Sequence, residues 1–147
     1  MEEIPVGTGR KLRDGEDIAI LSFGHPGNFA AAAIREVAAD GIHPGHYDMR
    51  FVKPLDEKLL HEVFTKYKKV ITVEDGTVVG GFGSAVLEFM NQQGYNADIR
   101  ILGIPDRLVE HGTPKQLYEE IGIDAKGIAI VLREMSLVKN FKVAPVL

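Results

Sequence analysis

Asp17 to Gly24 reads DIAILSFG, an apolar run closed by glycine. A strand with one wet face would alternate apolar and polar residues. A run that is apolar at successive positions is what a strand buried on both faces requires. The residues after it fit a helix. Asn28 is placed to cap it, Phe29 to Asp40 would form it, and Gly41 would end it. Its alanines allow a helix to lie close against a sheet. A doubly covered strand followed by such a helix is the opening unit of a parallel α/β sheet.

The unit recurs along the chain. Tyr47 to Val52 (YDMRFV) alternates and reads as a second strand. Asp56 then caps a helix with Leu59, Leu60, Val63, Phe64 and Tyr67 on one stripe. Lys66, Lys68 and Lys69 lie at its end, where positive charge suits the helix dipole. Val70 to Glu74 (VITVE) is a third strand. A glycine-rich loop, Gly76 to Gly83, leads to a helix over Ser84 to Gln93, with Val86, Phe89, Met90 and Gln93 on its buried stripe and Gly94 beyond it. Asp98 to Gly103 (DIRILG) is a fourth strand, and Ile104 to Gly112 is an irregular connection. Thr113-Pro114-Lys115-Gln116 is a capping box with a favourable proline, opening a helix to Ile121. A last helix from Asp124 puts Ile128, Val131, Leu132 and Met135 on one face. The tail, Ser136 to Leu147, shows no period.

Ile4 to Asp14 carries glycine and alternating residues, and Asp14-Gly15 reads as a tight turn into the first core strand. The expectation is an extra edge strand, antiparallel to its neighbour. The whole is an α/β domain over residues 4–135: a five-stranded mixed sheet, mostly parallel, covered by helices on both faces. Residues 136–147 are a tail of unassigned role.

Composition narrows the function classes. At 147 residues the chain has one domain's length and buries roughly 70% of its unfolded surface, enough for a core. It has no cysteine, so a disulfide framework, a thiolate nucleophile and a cysteine-ligated metal are excluded. A net charge of −4 argues against nucleic acid as a partner. No apolar run reaches the roughly 20 residues of a membrane span. The start, Met1-Glu2-Glu3-Ile4, is acidic where a secretion signal is basic, so a cytoplasmic location is expected.

In an open parallel sheet ligands bind beyond the carboxyl ends of the strands. The loops there are Gly24 to Asn28, Val52 to Asp56, Glu74 to Gly83 and Gly103 to Gly112. Gly80-Gly81-Phe82-Gly83-Ser84 precedes a helix, where backbone amides can hold an anion. Its spacing is neither a dinucleotide fingerprint nor a P-loop, and tight packing is the plainer reason for its glycines. Glu74 and Asp75 are adjacent at a strand end and point apart, which makes them a poor acid–base pair. Glu74 is better suited to accept from loop amides or a partner chain.

Among the five histidines, His43 and His46 flank a turn and read as surface residues, since no third ligand has helpful spacing. His61 belongs to the exposed or boundary side of its helix. His25 and His111 fall on strand-end loops and are the ones to test in an enzyme reading. Neither Ser22 nor Ser84 sits in a G-x-S-x-G elbow. The candidate interface or anion-binding residues are therefore Glu74, Asp75, Gly80, Gly81, Gly83 and Ser84, with Asp106 and His111 from the next loop. No catalytic, cofactor-binding or metal-binding residue is assigned.

Three strings go beyond spacing: DMRFVKPLD (Asp48 to Asp56), VED with GGFGSAV (Val73 to Asp75, Gly80 to Val86), and LGIPDRLVEHGT (Leu102 to Thr113). In this order they resemble the C-terminal, third domain of the 1-deoxy-D-xylulose-5-phosphate synthases, in the transketolase-like thiamine-diphosphate family. Ile4-Pro5-Val6-Gly7-Thr8-Gly9 is similar to that family's lead into the domain. The related domain of 2-oxoacid dehydrogenase beta chains shares less of the wording. The resemblance implies a three-layer α/β/α unit whose first strand is antiparallel. It also implies a whole enzyme that joins pyruvate to glyceraldehyde 3-phosphate with loss of carbon dioxide, for isoprenoid, thiamine and pyridoxal synthesis. Thiamine diphosphate and Mg²⁺ would be held by other domains. The metal motif of the family, a G-D-G followed by asparagine, is missing here. Gly24-His25-Pro26-Gly27 departs from relatives that carry threonine after the glycine. The implied partners are the remaining domains of the same enzyme and a second copy, with no nucleic acid and no membrane. The implied role is packing and dimerisation, and the chain alone is expected to be inactive. The alternatives are the C-terminal domain of a 2-oxoacid dehydrogenase beta chain or a small-molecule regulatory anion-binding domain.

Overall fold

The computed structural model describes residues 6–77, 81–104 and 123–138. Five strands form one sheet: β1 (Arg10–Arg13), β2 (Ile18–Phe23), β3 (Gly45–Asp48), β4 (Lys69–Thr77) and β5 (Asp98–Ile104). Their order is β1-β3-β2-β4-β5. The pairings β2–β3, β2–β4 and β4–β5 are parallel, and β1–β3 is antiparallel. Four helices are described: α1 (Pro26–Val37), α2 (Glu57–Lys66), α3 (Phe82–Gln92) and α4 (Ala125–Leu137).

The alternating geometry of the strands sorts the core into two layers. Ile18 and Ile20 of β2 and Ile71 and Val73 of β4 face α1 and α4, meeting Ala30, Ala33, Ile34, Ile128 and Leu132. Ala19 and Leu21 of β2 and Val70 of β4 face α2 and α3, meeting Leu60, Val63, Phe64, Val86 and Phe89. This is the expected three-layer α/β/α arrangement. The stripe expected on α2 is the buried one, with Leu59 half-buried at its margin. On α3 the stripe is Phe82, Val86 and Phe89, while Gln93 is exposed.

Several boundaries differ from the sequence reading. The helix α1 starts at Pro26, so Asn28 lies inside its first turn and His25 stands at the cap without a side-chain capping bond. Proline at the first helical position has a suitable φ and no N–H to satisfy, so it opens a helix without a polar cap. A 3₁₀ turn, Ala38–Asp40, finishes the helix, and Gly41 ends it with φ +77, in the left-handed region. The strand β3 begins at Gly45 and ends at Asp48, earlier than Tyr47 to Val52. Beyond it Arg50 adopts φ +57, which breaks the extended run. The helix α4 runs two residues into the expected tail.

Asp14-Gly15 is not a hairpin turn. The strand β1 pairs with β3 instead of with β2, the next strand in sequence. Glycine is required at position 15 because a Cβ there would stand 1.9 Å from the Gly45 backbone nitrogen. The chain crosses closely under β3 at that point, and the hydroxyl of Tyr67 accepts from Gly15 N–H at 3.0 Å. At the amino ends of β2 and β4, the buried Lys69 ammonium donates to Asp17 Oδ2 at 2.8 Å. The expected helix from Thr113 to Ile121 lies outside the described residues.

Candidate functional site

The strand order reverses between β2 and β4. From β2 the chain turns into α1 on one face, and from β4 into α3 on the other. The crevice between two such strand ends is where ligands bind in open α/β sheets. In register, Phe23 stands beside Glu74. Gly24, His25, Asp75, Gly81 and Ser84 gather around these ends.

Glu74 and Asp75 do point apart. The Asp75 carboxylate is exposed and lies over Gly24, 3.4 Å from where a Cβ would stand. Glu74 turns inward and is 1% exposed. Its carboxylate accepts from Phe82 N–H at 2.6 Å and from Gly83 N–H at 3.1 Å. These are among the first amides of α3, the ones a helix leaves unpaired. An anion there is stabilised by the aligned peptide dipoles. Here the chain's own carboxylate takes that place. Gly81 stands at the cap without a side chain to offer, which leaves the position to Glu74.

Gly83 brings α3 close to the sheet. A Cβ at this position would stand 2.5 Å from Ile101 Cγ2 and 2.7 Å from Thr72 Oγ1. Phe82 stacks on Phe23 with ring centroids 5.6 Å apart, closing the crevice from one side. On the other side the exposed His25 meets the edge of Phe29 at 5.5 Å. Ser84 is half-buried in the first turn of α3. Gly80, Asp106 and His111 lie outside the described residues.

A polar pair sits one strand away from these candidates. His46 is 3% exposed, not a surface turn residue, because β3 begins at Gly45 and carries the ring into the sheet. Its Nε2 lies 2.8 Å from the Ser22 hydroxyl, which is also buried. Burial pushes the His46 pKa below its usual value, partly opposed by the Asp48 carboxylate. The pair has the elements of a nucleophile and base, but neither reaches solvent, so its bond ties β2 to β3. No period signalled this: Gly45, His46 and Tyr47 are buried in succession, and a short segment carrying histidine and aspartate does not read as a strand covered on both faces. His61 lies on the half-buried side of α2, as expected, with its Nδ1 bonded to the Tyr95 hydroxyl and its ring against Phe89.

Among the described residues no group of three His, Cys, Asp or Glu side chains could hold a metal ion. No helix among them is long and apolar enough to cross a membrane.

The family model for the transketolase C-terminal domain matches residues 7–128. The chain is 55% identical over 135 residues to the 1-deoxy-D-xylulose-5-phosphate synthase of Cytophaga hutchinsonii, covering 92% of this chain and 21% of that protein. The synthase of Bacteroides fragilis is 51% identical over 138 residues, covering 93% and 21%. That of Aquifex aeolicus is 45% identical over 133 residues, covering 90% and 21%. The chain thus spans about a fifth of the length of these relatives. Among solved structures, a split-gene transketolase described as an inactive beta4 tetramer superposes with a TM-score of 0.85 at 29% identity, covering 94% of this chain and 45% of that one. A transketolase of Pichia stipitis superposes with a TM-score of 0.68 at 17% identity, covering 91% and 19%, a likeness of fold. With the family model spanning most of the sheet and its helices, the chain belongs to the transketolase C-terminal domain family.

Proposed function

We propose that this chain is the C-terminal domain of a 1-deoxy-D-xylulose-5-phosphate synthase, and that it contributes packing and dimerisation while other domains carry the chemistry. The observation that supports this most is identity of 55% across nine tenths of the chain, to a protein of which it covers 21%. The full enzyme would join pyruvate to glyceraldehyde 3-phosphate and release carbon dioxide, using thiamine diphosphate and Mg²⁺. The described residues do not fit that cofactor. A diphosphate would seek the α3 amides, and the Glu74 carboxylate already accepts from two of them. A second anion there would meet like charge. The carboxyl edge, with Asp75, Gly81 and Ser84, is read as the surface facing the other domains. A cytoplasmic location accompanies this reading.

The purified chain, given pyruvate, glyceraldehyde 3-phosphate, thiamine diphosphate and Mg²⁺, is expected to show no turnover and no heat of cofactor binding. Turnover by the chain alone would refute the reading. Self-association is expected on sedimentation, in line with the split-gene transketolase that forms an inactive tetramer. A monomer at every concentration would count against the dimerisation role.

A further inference from the structure

Asp56 joins two distant parts of the chain. One carboxylate oxygen accepts from Leu59 N–H at 3.0 Å and caps α2. The other accepts from Gly9 N–H at 2.8 Å, across 47 residues of sequence. The segment around Gly9 is pressed into place. A Cβ on Gly9 would stand 2.8 Å from Leu59 Cδ2 and 3.0 Å from the Asp48 carbonyl oxygen. Two residues earlier, a Cβ on Gly7 would stand 2.8 Å from Pro54 Cγ. Because β1 runs antiparallel to β3, its first residue, Arg10, is in register with Asp48 at the carboxyl end of β3. The described chain therefore enters β1 from the carboxyl edge of the sheet, the edge that holds the β2–β4 crevice. Val6, on that approach, is 77% exposed.

We propose that Asp56 is a positioning residue: its second oxygen fixes the direction from which the preceding polypeptide joins the domain, and so holds that polypeptide against the carboxyl edge. This rests on the reading of the chain as the last part of a longer enzyme. The helix cap alone needs one acceptor, and asparagine supplies it as well as aspartate does. The clasp needs two acceptor oxygens, and asparagine has one. Asp56→Asn thus keeps the α2 cap and presents an NH₂ donor to the Gly9 N–H.

In the 147-residue chain, amide exchange followed by NMR is expected to speed up at Gly9 at least about tenfold in Asp56→Asn, with Leu59 changed less than about threefold. Trypsin is expected to cut about tenfold faster after Arg10 and Lys11, which are exposed on β1. Wild-type rates at Gly9 and at these bonds would overturn the clasp. Should Asp56→Asn fold poorly, Asp56→Ser supplies a capping hydroxyl with no second oxygen and is read the same way. In the longer polypeptide, Asp56→Asn is expected to lower kcat about tenfold with KM for pyruvate unchanged, because a misdirected domain removes assembled enzyme without altering the substrate pocket. Unchanged kcat alongside fast Gly9 exchange would overturn the positioning role. A wild-type longer polypeptide without synthase activity would instead sink the family-based function and leave the Gly9 result standing.

Discussion

Replacing Glu74 tests the central device of the crevice. In Glu74→Gln the two acceptor oxygens become one oxygen and one NH₂ group. The wild-type carboxylate accepts from Phe82 N–H at 2.6 Å and Gly83 N–H at 3.1 Å while 1% exposed. Hydrogen bonds to a charged group contribute about 1.5–3 kcal/mol each. Glutamine keeps one of them at the neutral value of about 1 kcal/mol and leaves the other amide facing a donor, which costs about 1–3 kcal/mol. Relief from burying a charge offsets part of this. The net loss expected is about 2 kcal/mol for Glu74→Gln. In Glu74→Ala both amides lose their partner and a cavity is left, so about 3–5 kcal/mol is expected. At this chain length 1 kcal/mol corresponds to about 3 °C, so Tm should fall by about 6 °C and about 9–15 °C respectively. Urea unfolding followed by circular dichroism measures both. If both variants lie within about 0.5 kcal/mol of wild type, the carboxylate is not what holds the start of α3, and the reasoning fails.

Three other perturbations probe separate parts of the structure. Gly83→Ala places a Cβ 2.5 Å from Ile101 Cγ2, so overpacking should outweigh the gain in helix propensity. A loss of about 1–2 kcal/mol is expected on urea unfolding, and a more stable variant would show that α3 can shift outward freely. The lowered pKa of His46 means that the unfolded state binds the proton first. Stability should be level above about pH 6.5, fall as the pH drops below it at no more than about 1.4 kcal/mol per unit, and level off below the folded pKa. His46→Asn should flatten that slope, and an unchanged pH profile would remove His46 as its source. Asp17→Asn leaves the Lys69 ammonium, 4% exposed, without its carboxylate. It should cost about 2–3 kcal/mol by thermal melting, since asparagine tolerates the φ of +63 at this position. An unaltered Tm would show that Lys69 finds water instead.

The layers were legible because burial imposes a period. The run Ile18 to Leu21 and the stripe Leu60, Val63, Phe64 and Tyr67 name their own faces, and caps such as Asp56, Asp124 and Gly41 carry local signals of φ and acceptor chemistry. The start of α1 was missed because Asn28 looks like a better cap than His25, and proline made a cap unnecessary. The candidate site was partly legible: the position of Glu74 and Asp75 at a strand end follows from spacing. That Glu74 folds back onto the α3 amides does not, because it depends on where the helix lies over the sheet.

By itself, then, the sequence specified the strand and helix types, the two apolar faces and, through its three distinctive strings, the family. Those are properties of neighbours along the chain, set by side-chain period and local dihedral preference. The partner of β1, the burial of His46 against Ser22, the capture of the α3 amides by Glu74 and the clasp of Gly9 by Asp56 were settled only when the layers packed. Each joins residues between 8 and 47 positions apart. Such contacts are chosen by which surfaces exclude water together, and no local pattern of the chain encodes that choice.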